Sequence, residues 1–211
     1  MYSQSGKLEP FLEETFKGKK GFFLEVGCWD GSNLSQTLYL EQQGWKGLCV
    51  DPFPKNFENR KCLLHPGAIS SDGRDREFIW VKNDKRDGGD VSYFSGFKSS
   101  LTIHWDFIQE YCTYETTYIE TITVEQLYRK YKLPHYIDFL SVDVEGAELE
   151  VFAGWNLDVY RFGVITFEHN GDDNVKKYIG RMLERRGYSY VMSIGVEDFL
   201  SDDVYISKGL L

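Results

Sequence analysis

The chain has 211 residues, 42% of them hydrophobic and 16% aromatic, and its 33 acidic against 24 basic side chains leave a formal net charge of −9. That length fits one domain spanning 1–211 with a core of useful size, and the negative field opposes nucleic-acid backbones and anionic membrane surfaces as partners. No run is long and apolar enough for a membrane span or a signal-peptide core, so the expected location is cytoplasmic.

The four cysteines, Cys28, Cys49, Cys62 and Cys112, form no CxxC pair, which argues against a zinc knuckle or a thioredoxin-like site. Free thiols in a reducing compartment are the expectation.

Short apolar runs alternate with amphipathic segments, the pattern of βαβ units. Gly21 to Val26 reads as a buried strand, Asn33 to Gln43 as a helix and Gly47 to Val50 as a second buried strand closed by Asp51-Pro52. Pro54 to Arg60 reads as a short helix, and Cys62 to Leu64 with Ala68-Ile69 as a third, edge strand. Arg76 to Lys82 reads as another strand, whereas Asn83 to Glu115 shows no regular period. Val124 to Tyr131 is an expected helix stopped by Pro134, followed by a strand at Ile137 to Val142 and a helix starting at Glu148 to Phe152. Phe162 to Phe167, Asn174 to Arg186 and Tyr188 to Met192 read as strand, helix and strand, with Asp203 to Ser207 closing a terminal antiparallel pair.

Right-handed crossovers turn this order into an α/β fold, an open, mostly parallel sheet with helices on both faces. Ligands in such sheets bind beyond the carboxyl ends of the strands. Functional residues are therefore expected at Gly27–Gly31, Asp51, Ala68–Asp72, Asp143–Gly146 and Glu168–Asn170, each just after an expected strand.

The first of these loops, Glu25-Val26-Gly27-Cys28-Trp29-Asp30-Gly31, has glycine for a tight turn at Gly27 and for close ligand approach at Gly31. Its GxxxG spacing lacks the third glycine of a pyrophosphate loop, which weakens a nicotinamide reading. Asp51 stands twenty residues past Gly31, where a carboxylate accepts hydrogen bonds from ribose hydroxyls. Ala68, Ile69 and Ser70 are small or slim enough to flank an adenine ring. An adenosine-containing ligand fits this set.

Several separated stretches resemble the FkbM-type methyltransferases, a family of class I S-adenosylmethionine enzymes. They are Tyr2-Ser3-Gln4; FLEVGCWDGSNLSQTLYLEQQGWKGLCVDPFP from Phe23 to Pro54; HPGAISSDG; IDFLSVDVEGAELEVFAGW from Ile137 to Trp155, the most specific; and VITFEH. The resemblance implies a Rossmann-like, seven-stranded methyltransferase that uses S-adenosyl-L-methionine to methylate a hydroxyl, often on a sugar or natural product. By position it puts Glu25, Gly27 and Gly31 around the methionine part, Asp51 on the ribose, Ala68 and Ile69 on the adenine and Asp143 below the sulfonium. Gln4, Cys28, Asn33, Pro52 and Ser70, in or beside the matched stretches, complete the expected cofactor-contacting set. One departure is Asp51-Pro52 where the family often has Glu-Pro.

Methyl transfer to an alcohol is an in-line displacement that needs positioning and help with the hydroxyl proton. Asp143 and Glu145, at i and i+2, share a face of an extended segment, and Glu168-His169 adds a carboxylate and an imidazole beyond the neighbouring strand. His169 or Glu168 is expected to remove the proton while Asp143 and Glu145 orient cofactor and acceptor. The blander alternatives are helix capping by Asp143 or Glu145 and an ordinary surface role for His169. A divalent metal on Asp143, Glu145 and Glu168 is a further alternative, suited to Mg²⁺, but no metal is part of the main expectation.

The aromatics between Asp84 and Tyr114 (Tyr93, Phe94, Phe97, Trp105, Phe107, Tyr111, Tyr114) read either as an acceptor lid or as a satellite core. The expected partner is a small-molecule or glycan acceptor. Competing functional classes are a nicotinamide-dependent oxidoreductase and a non-catalytic module that binds an adenosine ligand.

Overall fold

A computed structural model describes residues 6–196 and 199–211. The elements, in chain order, are α1 (Leu8–Phe16), β1 (Phe22–Val26), α2 (Leu38–Gln42), β2 (Lys46–Asp51), β3 (Leu63–Pro66), β4 (Ala68–Ile69), β5 (Arg76–Asp84), β6 (Gly96–Phe97) and α3 (Trp105–Tyr111). They continue with β7 (Cys112–Ile119), β8 (Thr121–Ile122), α4 (Val124–Tyr131), β9 (Tyr136–Val142), α5 (Glu148–Ala153), β10 (Arg161–Glu168), α6 (Asp173–Arg185), β11 (Tyr188–Val196) and β12 (Phe199–Ser207).

A seven-stranded sheet runs in the order β11-β12-β10-β9-β1-β2-β3. β1 pairs in parallel with β2 and β9, as do β10 with β9 and β2 with β3, while β12 is inserted antiparallel between β10 and β11. The fold is thus α/β with a mostly parallel central sheet. The order reverses at β1, and the crevice of such a switch point opens at the carboxyl ends of β1 and its neighbours.

Alternation along each strand sends successive side chains to opposite faces, and both faces are covered. Leu24, Val26, Leu140, Val142, Ile165 and Phe167 pack with Val124 and Leu127 of α4, Val151 and Phe152 of α5 and Ile179 and Leu183 of α6. Phe23, Cys49, Phe139, Val164 and Ile206 pack on the other face with Leu8, Leu12 and Phe16 of α1 and Leu40 of α2. The spacing of Leu8, Leu12 and Phe16 puts all three on one helical stripe. Thr123 and Gln126 close a reciprocal capping box at the start of α4, and Asp172 accepts from the Asn174 and Val175 amides to start α6.

Four expectations are corrected. The helix expected over Asn33 to Gln43 is confined to Leu38–Gln42, because Leu34 has φ +60° and the residues before α2 are held by side chains. Asp30 accepts from the Ser32 and Asn33 amides, and buried Glu25 accepts from Ser35 Oγ, the Gln36 amide and Thr37 Oγ1. Such local bonds compete with a helical ladder. The Pro54 to Arg60 helix is only a 3₁₀ turn at Phe57–Asn59.

The expected third edge strand is two: β3 extends the central sheet, whereas β4 pairs in parallel with β8 apart from it. β5, too, lies outside the central sheet, in a three-stranded sheet ordered β6-β5-β7. The stretch from Asn83 to Glu115 is therefore not irregular throughout; it holds β6, α3 and the start of β7. β7 is exposed along most of its length and is held by antiparallel pairing with β5, so no apolar period marks it.

Candidate active site

Val26 and Val50 carry the parallel ladder past the strand ends, the Gly27 amide donating to Val50 O at 2.9 Å and the Asp143 amide to Val26 O at 2.9 Å. The three loops that follow β1, β2 and β9 consequently converge on one point. There a cavity of about 310 Å³ opens between the central sheet and the β6-β5-β7 sheet, a size within the usual range of small-molecule sites.

Asp51 ends β2 and organises the first loop. Its Oδ2 accepts from the Cys28 and Trp29 amides at 3.2 and 2.8 Å, and its Oδ1 from the Phe53 amide at 2.8 Å. Burial pushes its pKa up to about 6, against the pull of those three N–H donors. Oδ1 keeps acceptor capacity for a ligand hydroxyl. Trp29, at φ +42°, also donates from Nε1 to Ser92 Oγ at 2.9 Å, tying this loop to the segment that roofs the cavity.

Beyond β9 the chain turns sharply, with Glu145 at φ +53° and Gly146 at φ +97°, and a Cβ on Gly146 would stand 2.4 Å from Ser100 O. Only glycine fits that approach. The turn aims Asp143 and Glu145 into the cavity, where Glu168 at the end of β10 joins them. One carboxylate oxygen from each lies within 4.8 Å of the others. Burial, and after it repulsion from neighbouring carboxylates that include Asp202 and Glu148, holds all three well above the usual carboxylate range. His104, at the N-terminal end of α3, places Nε2 3.4 Å from Glu145 Oε2, and burial lowers its pKa.

Neither Asp143 nor Glu145 caps the helix that follows. That helix has no side-chain cap; Glu148, its first residue, braces the preceding turn instead, its Oε1 accepting from the Val144 and Gly146 amides at 3.0 and 3.3 Å, and burial raises its pKa to about 7.

The cavity wall includes Glu25, Gly27, Cys28, Asn33, Asp51 and Pro52 from the first two loops, Ala68 and Ile69 from β4, and Asp143, Glu145 and Glu168. Gly31 is not on the wall: its missing Cβ admits the Phe57 ring, which would lie 2.7 Å away. Ser70 is fully buried and bonded to Thr121 Oγ1 at 2.6 Å and to the Gly73 amide at 2.9 Å, away from the cavity. His169 is also turned away. Its Nδ1 accepts from the Gly171 amide at 3.1 Å and its Nε2 stands 3.4 Å from Asp203 Oδ1, so it ties β10 to β12. Gln4 lies outside the described residues.

Of the aromatic stretch, Tyr93, Phe94 and Phe97 line the cavity, while Trp105 and Phe107 pack against the small core of Ile79, Val81, Leu101 and Ile108. The stretch thus contributes both to the cavity wall and to a satellite core, with Phe94 touching both. The cavity also has residues with no readable signal in the sequence, His104 and the stacked pair Phe53–Trp80, whose centroids are 4.2 Å apart at 7°, while Asn170, expected after β10, lies on the wall as well. Gln36 bridges Thr166 Oγ1 and Asp202 Oδ2, at 2.6 and 2.7 Å, behind the loop.

Residues 25–190 match the model of the methyltransferase FkbM domain. The chain belongs to the FkbM methyltransferase family. The matched span runs from β1 into β11 and so contains every wall residue named above. Among curated proteins, none matches the FkbM chain. Two solved structures are similar to it: one described as a "putative RNA methyltransferase" of Pyrococcus horikoshii (9% identity, TM-score 0.41, covering 94% of this chain and 79% of that one) and precorrin-6y C5,15-methyltransferase of Geobacter metallireducens (14% identity, TM-score 0.37, covering 97% and 92%). At these values the likeness carries no argument about substrate. Among the described residues of the FkbM chain, no helix is long and apolar enough to cross a membrane.

Proposed function

We propose that the chain is an S-adenosylmethionine-dependent O-methyltransferase acting on a hydroxyl of a small molecule or glycan, foremost a sugar. The observation that carries this reading is one cavity with an adenosine-type carboxylate, Asp51, on one side and three buried carboxylates with an imidazole on the other.

The residues present fit the cofactor. Asp51 has acceptor capacity for ribose, and Ala68, Ile69, Phe53 and Phe78 add apolar surface to the same cavity wall. Trp80 Nε1, buried and without a hydrogen-bond partner, is a donor on this wall. S-adenosylmethionine, when bound, supplies an electrophilic methyl group.

The chain's own contribution is to hold an acceptor hydroxyl in line and take its proton. Glu168 and Glu145, whose hold on a proton is strengthened by burial and by neighbouring carboxylates, are suited to take up that proton, and His104 stands beside Glu145 with its own pKa lowered by burial. Tyr93, Phe94 and Phe97 supply aromatic faces on which a sugar ring can stack. The negative charge disfavours a nucleic-acid acceptor. The free cysteines accord with a reducing, cytoplasmic setting.

Calorimetric titration with S-adenosylhomocysteine beside NAD, followed by labelled-methyl transfer to a panel of sugars, tests the proposal. Saturable binding of the homocysteine compound alone and a labelled sugar product are expected. Binding of NAD alone, or cofactor binding with no methylated hydroxyl in any acceptor, would overturn it in favour of an oxidoreductase or a binding module.

A further inference from the structure

The carboxylates of Asp143, Glu145 and Glu168 are unusual in how little opposes them. Glu168 is 6% exposed and its Oε2 has no hydrogen-bond partner; Glu145 Oε2 is likewise buried and unbonded. Among the described residues no lysine or arginine ion-pairs with any of the three, and the contact that reaches them comes from His104.

Three carboxylates brought together in a poorly solvated wall have two ways to avoid repulsion. They can retain protons, or they can close on a cation. The second removes the unbonded oxygens as well as the charge. The donor set is all oxygen, which selects hard divalent ions over thiolate- or imidazole-seeking metals. Two oxygens on one cation are separated by at most twice the metal–oxygen distance, about 4.2 Å for Mg²⁺ and about 5 Å for Ca²⁺. The 4.8 Å spread of the three oxygens falls inside the larger limit and needs only a small side-chain movement to meet the smaller. Asn170, which follows β10 and lines the same wall, adds a neutral amide oxygen to the donors at hand.

We infer that Asp143, Glu145 and Glu168 form a binding site for one divalent, oxygen-preferring cation of the Mg²⁺ or Mn²⁺ kind. The site faces Tyr93, Phe94 and His104, so a cation there would meet the acceptor. It would hold an acceptor hydroxyl and lower its pKa. That use rests on the proposed methyl transfer; the binding itself does not.

The test is titration of the chelator-treated full chain with Mn²⁺, reading free ion by its paramagnetic resonance signal and competing with Mg²⁺. Saturable binding of one ion per chain, displaced by Mg²⁺, is expected. Glu168→Gln and Glu145→Gln should each weaken it by about tenfold or more, since even groups that only support a ligand carry such factors. Glu125→Gln, on an exposed helix face, should bind as the parent does. S-adenosylhomocysteine titrated into the same samples separates the two readings: its loss speaks against the methyl-donor site, not against the cation. Failure of the parent to bind Mn²⁺ saturably, or undiminished binding in both folded variants, would overturn the inference. If Glu168→Gln fails to melt cooperatively, the Glu145→Gln result decides.

Discussion

Gly27 and Asp143 approach so closely that a Cβ on Gly27 would lie 1.6 Å from the carbonyl oxygen of Asp143. This contact joins the loop after β1 to the loop after β9, the two halves of the cavity, and Gly27 also has φ +82°. Gly27→Ala combines left-handed strain with overpacking, together about 2–5 kcal/mol. A fall in Tm on the order of 10 °C is expected for a chain of this size. A thermal melt within a degree or two of the parent would show that the two loops part without cost.

Asp51 serves the fold and the ligand at once, accepting three backbone N–H bonds from Cys28, Trp29 and Phe53. In Asp51→Asn one oxygen becomes a donor facing donors, and the charge is lost. Charge-assisted bonds of this kind contribute about 1.5–3 kcal/mol, so affinity for S-adenosylhomocysteine should drop by about 10–100-fold. Calorimetry on the variant reads this directly, and an unchanged Kd removes Asp51 from the ribose.

The stability of the chain should depend on pH through Glu148. Its pKa is raised from 4.5 to about 7 by burial. A raised folded pKa means that the stabilisation is fully present below the unfolded value and is lost as pH rises through the folded one. Glu148→Gln keeps an oxygen for the Val144 and Gly146 amides but carries no charge. The variant should therefore melt with the parent near pH 4.5 and several degrees above it near pH 8. Superimposable melting curves at both pH values would show that Glu148 is not strained by its charge.

Tyr93 and Trp105 sit a dozen residues apart and are expected to behave differently. Tyr93 is on the cavity wall, whereas Trp105 packs against the Ile79–Ile108 core with its ring 5.7 Å from Tyr114. Tyr93→Ala should raise the acceptor KM with cofactor affinity kept. Trp105→Ala should lower stability by about 1–3 kcal/mol and leave KM alone. Steady-state kinetics paired with melts distinguish them, and the reverse pattern would exchange lid and core.

Much of the site could be read from residue order alone. Glycine and carboxylate fall after apolar runs at Gly27, Asp51, Asp143 and Glu168, and a parallel sheet collects strand ends on one edge. The seven-stranded sheet and its terminal antiparallel pair follow from the same alternation of runs and amphipathic segments. What alternation cannot carry is the direction in which a side chain finally points. His169 directly follows Glu168, the last residue of β10, and the two side chains leave on opposite sides: Glu168 enters the cavity, and His169 meets Asp203 on the paired strand. Gly31 and Ser70 lie at the right places along the chain, yet Phe57 and Thr121 occupy their surroundings. β7 and His104 were hidden for a related reason. An exposed strand held by backbone pairing has no apolar period, and a histidine in a loop has no partner until the fold brings Glu145 to it. Local chemistry and spacing determined which loops form the site; long-range pairing alone decided which side chains enter it.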